Sequence, residues 1–446
     1  MNESSRVQIP DTKNVGHKGQ SFFGWWMVAI GATSNFIASV HSSAATVFFL
    51  PVTQELGLSR AALGLVFSLS RMEGGIEGPI AGWVIDRFGP RIPTLITASI
   101  GGVGFLLLAT VHSYLGFLVI YLGLMSVGFN VVSGHTMHAV ANLWFIRYRT
   151  RVMSIFSSVV RLGHAIFTPL VAIIVLNYGW RTGSILSGIL VLGVILPVTY
   201  FMRRSPESEG QLPDGDQPST VKLNPTESTT SDSQAGGLTK DFTAKAALRT
   251  PAIWIISANL AARSCIMSAL HVHFIPIFVW MGLSQQMGAN LTGLIGLIAI
   301  PLILIMGWLG DRLSKRMILL VTQMAYLPAM LVVVYSHSFW AIALFVVLMA
   351  VGESMAPVIR SIVGEYYGRK AFATLNGIMT SISTISAVTP VFAGWVYDQT
   401  ESYSIAFIVF GAIAALASFA LLFLRNPSYI PVGVAGLSDR AAGGKE

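Results

Sequence analysis

The sequence has little charge. Only 11% of its 446 residues are Asp, Glu, Lys or Arg, against 53% hydrophobic, where a soluble domain carries about 25% charged residues. The mean hydropathy of +0.68 reflects the same imbalance and speaks against an ordinary water-soluble globule. Cysteine is nearly absent. The single Cys265 excludes an intrachain disulfide, and its place in an apolar run makes it a buried, inert thiol. Motifs of phosphate chemistry are missing as well. No P-loop lysine pattern occurs, and G-V-G-F at 102–105 does not complete a dinucleotide fingerprint. No nucleophile–base pair is recognisable, so the chain is read as no enzyme and as needing no cofactor. A cleavable signal is also lacking, because residues 1–22 are polar and the first apolar run is long enough to span a membrane.

What the sequence does have is long apolar runs of about 20 residues, the length of a membrane-crossing helix rather than of alternating barrel strands. Twelve such spans are expected, near 23–50, 61–85, 92–111, 115–142, 151–176, 182–202, 251–278, 288–310, 316–335, 339–364, 371–397 and 403–424. Ser59 is a candidate N-cap for the second, and Thr250-Pro251 starts the seventh as N-cap and first helical residue. The expected organisation is a tail 1–22, a six-helix bundle 23–202, a polar linker 203–249, a second six-helix bundle 250–425 and a tail 426–446. The formal charge of +8 is a topology signal, not a nucleic-acid footprint. With the N-terminus inside, 22 of the 28 Lys and Arg fall on the cytoplasmic side, two (Arg60, Arg181) fall outside, and four (Arg71, Arg161, Arg263, Arg360) lie within spans. Basic loops mark the cytoplasmic face. Both termini are therefore placed in the cytoplasm, and a plasma membrane, bacterial inner membrane included, is the expected home.

An internal repeat runs at an offset of 225. Pro51 matches Pro276, Gly57-Leu58-Ser59 matches Gly282-Leu283-Ser284, Gly82-Trp83 matches Gly307-Trp308, and Asp86-Arg87 matches Asp311-Arg312. Each copy begins inside after an even number of spans, so the repeats are parallel, related about an axis along the membrane normal.

Two six-helix bundles, a central linker and G-x-x-x-D-R-x-G-x-R at 82–91 resemble the major facilitator superfamily. The resemblance covers residues 23–425, with a degraded second copy of the motif at 307–316. Gly24-Trp25-Trp26, D-R-F-G-P-R at 86–91 and Trp144-Phe145 look like its monocarboxylate and oxalate/formate branch. Members of that branch often carry an Arg in helix 8 or a Lys in helix 11. Here 288–306 and 371–396 contain neither, so the solute of those relatives is not carried over. The resemblance implies an all-α membrane protein of twelve helices working by alternating access, with solute bound between the halves.

The embedded charges are the candidate site. An isolated charge at the bilayer centre costs at least about 2.5–3.5 kcal/mol, so each must pair or line water. By depth, Arg71, Glu73, Arg161, Arg263 and Glu353 fall near the midplane, with Glu77 and Arg360 nearer the cytoplasm. Arg161 has no acid in its own helix, and a guanidinium fork fits a carboxylate bidentately. Arg71, Arg161, Arg263 and His164, one turn after Arg161, are the solute-binding candidates. Glu73 and Glu353 are the proton-coupling candidates. Glu73 and Glu77 lie about 40° apart on one helix face, whereas Arg71 is about 160° from Glu73. The bland alternatives are ion pairs, Arg71 or Arg263 with Glu353. His135 and His138 share a face of the fourth helix, and no further ligands complete a metal site around them. Their default role is helix-packing hydrogen bonds. Trp25, Trp26, Trp144, Trp180 and Trp340 are assigned to the membrane interface.

Gly82, Asp86, Arg87, Gly89, Arg91 and, in the second copy, Gly307, Asp311 and Arg312 are the candidate gate. Asp86 is expected at the positive N-terminal end of a helix in the other half, and Gly74, Gly78 and Gly82 form a ridge for close packing. The resulting reading is a monomeric secondary transporter of a small organic anion, a monocarboxylate or dicarboxylate, by proton symport. The alternatives are an anion exchanger, a proton-coupled efflux pump for hydrophobic or cationic compounds, and, more remotely, a non-transporting solute sensor.

Overall fold

The computed structural model describes residues 22–57, 60–216 and 241–427, and every regular element among them is helical. The N-terminal part comprises α1 (Gly24–Ala38), α2 (Val40–Glu55), α3 (Arg60–Phe88) and α4 (Arg91–Leu108). It continues with α5 (Tyr114–Ile120), α6 (Val127–Phe129), α7 (Met137–Trp144) and α8 (Arg149–Tyr200). The C-terminal part comprises the short α9 (Ala244–Ala247), then α10 (Pro251–Trp280), α11 (Gln285–Gly310), α12 (Lys315–Met324) and α13 (Tyr326–Tyr335). Next come α14 (Phe339–Glu353), α15 (Ala356–Tyr367), α16 (Phe372–Ser383), α17 (Thr389–Thr400) and α18 (Ser404–Leu421).

Several of these are pieces of one membrane crossing, and nine helical stretches among the described residues are long and apolar enough to cross. Two π-helical turns, Tyr121–Ser126 and Asn130–Thr136, join α5, α6 and α7 into the stretch Tyr114–Trp144. The 52 residues of α8 would run about 78 Å at 1.5 Å each, far more than the ~30 Å hydrocarbon core. Gly179, at φ 80° and ψ 161°, divides α8 into two crossings, close to the expected 151–176 and 182–202. Gly24–Glu55 is interrupted at Ser39 into helices of 15 and 16 residues. Arg60–Phe88 is 29 residues long but carries five charges after its first residue, from Arg71 to Arg87. Pro251 opens α10, while Thr250 donates its hydroxyl to Ala247 O and meets the Tyr367 hydroxyl rather than capping the helix. Ser59 lies outside the described residues.

The motif at 82–91 is less of a loop than its charges suggest. Helix α3 continues through Asp86 and Arg87 to Phe88, and the turn is only Gly89-Pro90. Gly89 adopts φ +80°, the left-handed region that favours glycine. Of the tryptophans assigned to the interface, Trp25, Trp26 and Trp340 are exposed, but Trp144 and Trp180 are 0% and 3% exposed. Trp144 packs against Phe22 and Phe23, and the Trp180 indole donates to Glu55. Both are core residues.

The two parts meet along crossed pairs. Helix α3 lies on α16, and the first crossing of α8 lies on α11, a pairing that respects the 225-residue repeat. Between membrane helices close backbone approach and hydrogen bonding replace the hydrophobic effect as the source of association. Gly78 meets Gly377 backbone to backbone. A Cβ on Gly377 would stand 2.0 Å from Gly78 O, and one on Gly82 2.2 Å from Ala373 O. A Cβ on Gly307 would stand 2.2 Å from Ser154 Oγ. Gly74 packs instead on Asn130 of its own half, and its neighbour Gly75 faces Thr384.

Candidate functional site

The end of the bundle that carries residues 203–216 and 241–250 is closed by polar contacts between the halves. Asp86 Oδ2 accepts from the Thr374 backbone N–H at 2.8 Å and from its hydroxyl at 2.6 Å, and Oδ1 accepts from Ala373 N–H at 3.1 Å. These are the first-turn donors of α16, left free by helix geometry and backed by its dipole. In the other direction, Asp311 accepts from Thr150 N–H at 2.9 Å and Arg151 N–H at 3.3 Å at the start of α8. Arg151 also pairs with Asp311 at 3.2 Å. Arg369 donates to both carboxylate oxygens of Glu207, at 2.7 and 3.2 Å. Asn142 Nδ2 donates to Gly368 O at 3.3 Å.

Among the described residues the motif arginines make no contact across this seal. Arg87 lies over Trp83 at 5.4 Å, Arg312 over Trp308 at 4.0 Å and Arg91 over Tyr200 at 4.6 Å, all within their own halves. Arg87 O accepts from Arg204 at 2.9 Å. The expectation that Arg87, Arg91 and Arg312 latch one half to the other therefore does not describe this conformation. Gly82, Gly307, Asp86 and Asp311 reach across.

Above the seal is a cavity of about 360 Å³ between the halves, lined by Arg161, His164, Arg263, His138, Asn35 and Glu353 among others. Glu353 is its centre. It is the last residue of α14, and Pro357, in the first turn of α15, explains why. Proline lacks an N–H and its ring crowds the carbonyl four residues back, which is that of Glu353. The chain breaks at Ser354-Met355 and restarts, leaving Glu353 at a helix end inside the bundle. Its side chain is 2% exposed. Arg161 of α8 donates to Glu353 Oε2, and Arg263 of α10 to Oε1 at 3.3 Å. Arg161 remains 25% exposed and Arg263 15% exposed, so the two guanidiniums are the more open part of a cluster whose three members all line the cavity. Tyr326 stands close to both. His164 Nε2, His138 Nδ1 and Arg263 Nε have no hydrogen-bond partner among the described residues.

The sequence puts Arg161, Arg263 and Glu353 near the midplane and His164 one turn after Arg161, and the fold brings these four together. The carboxylate partner of Arg161 comes from α14, and Glu353 is shared by Arg161 and Arg263; the side chain of Arg71 lies outside the described residues. Glu73 is elsewhere. It faces the π-helical stretch, near Ser126, where Asn130 Nδ2 donates to Glu77 Oε2 at 3.4 Å and Ser70 bonds Ser126 at 2.7 Å. Of the other histidines, His273 is satisfied by Tyr403 and Pro390 O at 3.1 and 3.0 Å, and His271 lines the cavity. The share of Tyr326 was not legible, since a lone tyrosine in an apolar run carries no pattern.

The sequence matches the Major Facilitator Superfamily profile over residues 31–303 and 281–436. It is 27% identical over 401 residues to a probable sulfoacetate transporter of Cupriavidus necator, covering 84% of this chain and 87% of that one. It is 22% identical to monocarboxylate transporter 12-B of Danio rerio, covering 90% and 87%. Over 211 residues it is 26% identical to the oxalate:formate antiporter of Oxalobacter formigenes, 47% and 45% of the two chains. Among solved structures, the transporter FucP in its outward conformation superposes with a TM-score of 0.67 at 14% identity, covering 90% of this chain and 99% of that one. The human organic anion transporter MFSD10 superposes at 0.65 and 16% identity, covering 88% and 99%. With a family match across most of its length on a fold of this shape, the chain belongs to the Major Facilitator Superfamily of membrane transporters.

Proposed function

We propose that this transporter moves a small organic anion, a carboxylate or sulfonate, by alternating access around the Arg161–Glu353–Arg263 cluster. The observation that carries the reading is the cluster itself. Two guanidiniums converge on one carboxylate, leaving a net positive charge on the cavity wall. Guanidinium forks suit planar oxyanions. An incoming carboxylate can take over the contacts that Glu353 makes, so Glu353 acts as a built-in competitor. Protonation of Glu353 weakens its hold on both arginines and opens them to solute, which ties proton uptake to anion binding. Glu353 is thus the favoured proton carrier over Glu73, which faces Ser126 outside this cavity. The relatives named for sulfoacetate, monocarboxylates and oxalate/formate exchange support an anionic solute.

The end sealed by Asp86 and Asp311 is taken as cytoplasmic, from the excess of Lys and Arg on that side. The conformation is then one closed inward. A second reading, anion exchange, uses the same cluster without a proton: Glu353 re-engages both arginines between departure of one anion and arrival of the next. The test is uptake of labelled carboxylates and sulfonates into proteoliposomes with and without an imposed pH gradient. Gradient-dependent uptake supports symport, and uptake only against a preloaded anion supports exchange. Uptake of a neutral or cationic compound with no anion flux overturns both.

A further inference from the structure

Seven residues beyond Glu353, one α-helical segment closer to the sealed end, lies a second group of buried polar atoms that the cluster does not use. Arg360 of α15 donates Nη1 to Asn376 Oδ1 at 3.0 Å. That acceptor is a neutral amide, and no carboxylate pairs with Arg360 among the described residues. Its electrostatic neighbours are Arg263, His135 and His138. Asn376, His135 and His138 are 0%, 4% and 9% exposed. Asn376 Nδ2, His135 Nδ1 and His138 Nδ1 have no hydrogen-bond partner among the described residues. An unpaired cation inside a membrane protein marks a functional site by default, and buried polar atoms without partners ask for an explanation. Here Asn376 Nδ2 is a donor without an acceptor, each histidine Nδ1 donates or accepts according to its tautomer, and the Arg360 charge has no acid paired with it among the described residues.

The group is not isolated from the central cavity. His138 lines that cavity together with Arg161 and Arg263, and Arg360 sits within electrostatic reach of both His138 and Arg263. Among the described residues of the two groups, Arg161, Arg263 and Arg360 against Glu353 leave two positive charges in excess.

We propose that Arg360, held by Asn376 and flanked by His138, forms a second anion subsite continuous with the central cavity, so that the preferred solute carries two anionic groups. This deepens the proposed function and rests on it: one group of the solute binds Arg161 and Arg263, and the distal group binds Arg360. Two of the relatives are named for such solutes, sulfoacetate and oxalate. A monoanion occupies only the first subsite and leaves Arg360 with the neutral Asn376 amide and no anionic partner.

The experiment is thermal stabilisation of the purified full-length protein by sulfoacetate and malonate against their single-charge counterparts, methanesulfonate and acetate. Wild type is expected to bind the dianions about ten- to a hundredfold more tightly, the effect of one or two charge-assisted hydrogen bonds. Arg360→Gln is expected to erase that preference while keeping monoanion affinity, a split that a purely structural arginine would not give. Arg161→Gln is expected to lose both. An unchanged dianion preference in Arg360→Gln overturns the subsite. Should that variant not fold, wild type decides: equal affinity for matched dianions and monoanions overturns it. Silence towards every anion, with stabilisation by a neutral or cationic compound, overturns the proposed function and the subsite together.

Discussion

Asp86 and Asp311 make the same hydrogen bonds in opposite directions. Each leaves the end of a helix in its own half and accepts from two successive backbone N–H groups opening a helix in the other, α16 for Asp86 and α8 for Asp311. Charge at a helix N-terminus is worth about 0.3–2 kcal/mol, and bonds to an ionised acceptor are about twice as strong as neutral ones. Asp86→Asn and Asp311→Asn are each expected to lower the melting temperature by a few degrees and slow transport about tenfold. The two sites use separate helix pairs, so the double variant should show nearly additive loss of stability. Melting curves and initial uptake rates check this. A double variant with wild-type uptake would show that the two carboxylates do not control the seal.

Gly78 and Gly377 set how closely the halves approach. A Cβ on Gly78 would lie 2.8 Å from Gly377 O, and one on Gly377 2.0 Å from Gly78 O. The clash is with backbone on either side and has no flexible side chain to absorb it. Gly377→Ala is expected to abolish transport by keeping the sealed end from closing, with membrane levels close to wild type. Gly296→Ala meets nothing within 4 Å, gains about 0.8–1.0 kcal/mol of helix propensity, and should transport normally. Rates and membrane abundance of the pair, measured together, separate packing at the seam from a general intolerance of alanine.

How much of this could be read beforehand depended on periodicity. The 225-residue offset brought out Asp86 with Asp311 and Gly82 with Gly307 because both copies keep the same contacts, so both keep the same residues. Arg161, Arg263 and Glu353 were legible as a group because charge in an apolar run is costly and depth can be counted. Their partnership was not, since it depends on how helices turn about their axes and on the break that Pro357 imposes after Glu353. Arg87 and Arg91 misled for a related reason. Their spacing fits a gate, but an arginine four residues after Trp83 finds its own helix's indole first.

The polar segment after α8 adds a clamp that titrates outside the working range. Partial burial works to raise the Glu207 carboxyl, but the Arg369 guanidinium, a backbone N–H and Ser205 more than offset it, so the group sits below its ordinary value of 4.5. A depressed carboxyl contributes stability that is fully present above its unfolded value and is lost as pH falls through its folded one. Acidifying from pH 8 to pH 5.5 should therefore leave the Glu207–Arg369 contact intact, and it should weaken only once the pH falls below the ordinary carboxylate range and through the depressed value. Glu207→Gln is expected to lower the melting temperature slightly at pH 7 and to leave the pH dependence of uptake between 5.5 and 8 unchanged. A shift of that uptake profile in the variant would place a proton-sensitive step at this clamp.

The cluster at the cavity makes the sharpest demand. Removing one partner of a buried ion pair costs about 3–5 kcal/mol because it strands the other, and the partial exposure of Arg161 puts this case at the low end or beneath it. Glu353→Gln leaves two guanidiniums facing an amide. It is expected to bind the anion at least as tightly as wild type, since the internal competitor is gone, yet to lose any dependence of uptake on a pH gradient. Arg161→Gln leaves Glu353 on Arg263 alone and is expected to reduce anion affinity at least tenfold. The double variant Arg161→Gln/Glu353→Gln restores charge balance, so its melting temperature should exceed that of Arg161→Gln while transport stays absent. Melting curves, anion titrations and gradient-driven uptake on the three variants distinguish the roles. Retained proton dependence in Glu353→Gln would move the coupling site away from the cavity, and Glu73, beside Ser126 and one turn from Glu77, would be the next residue to test.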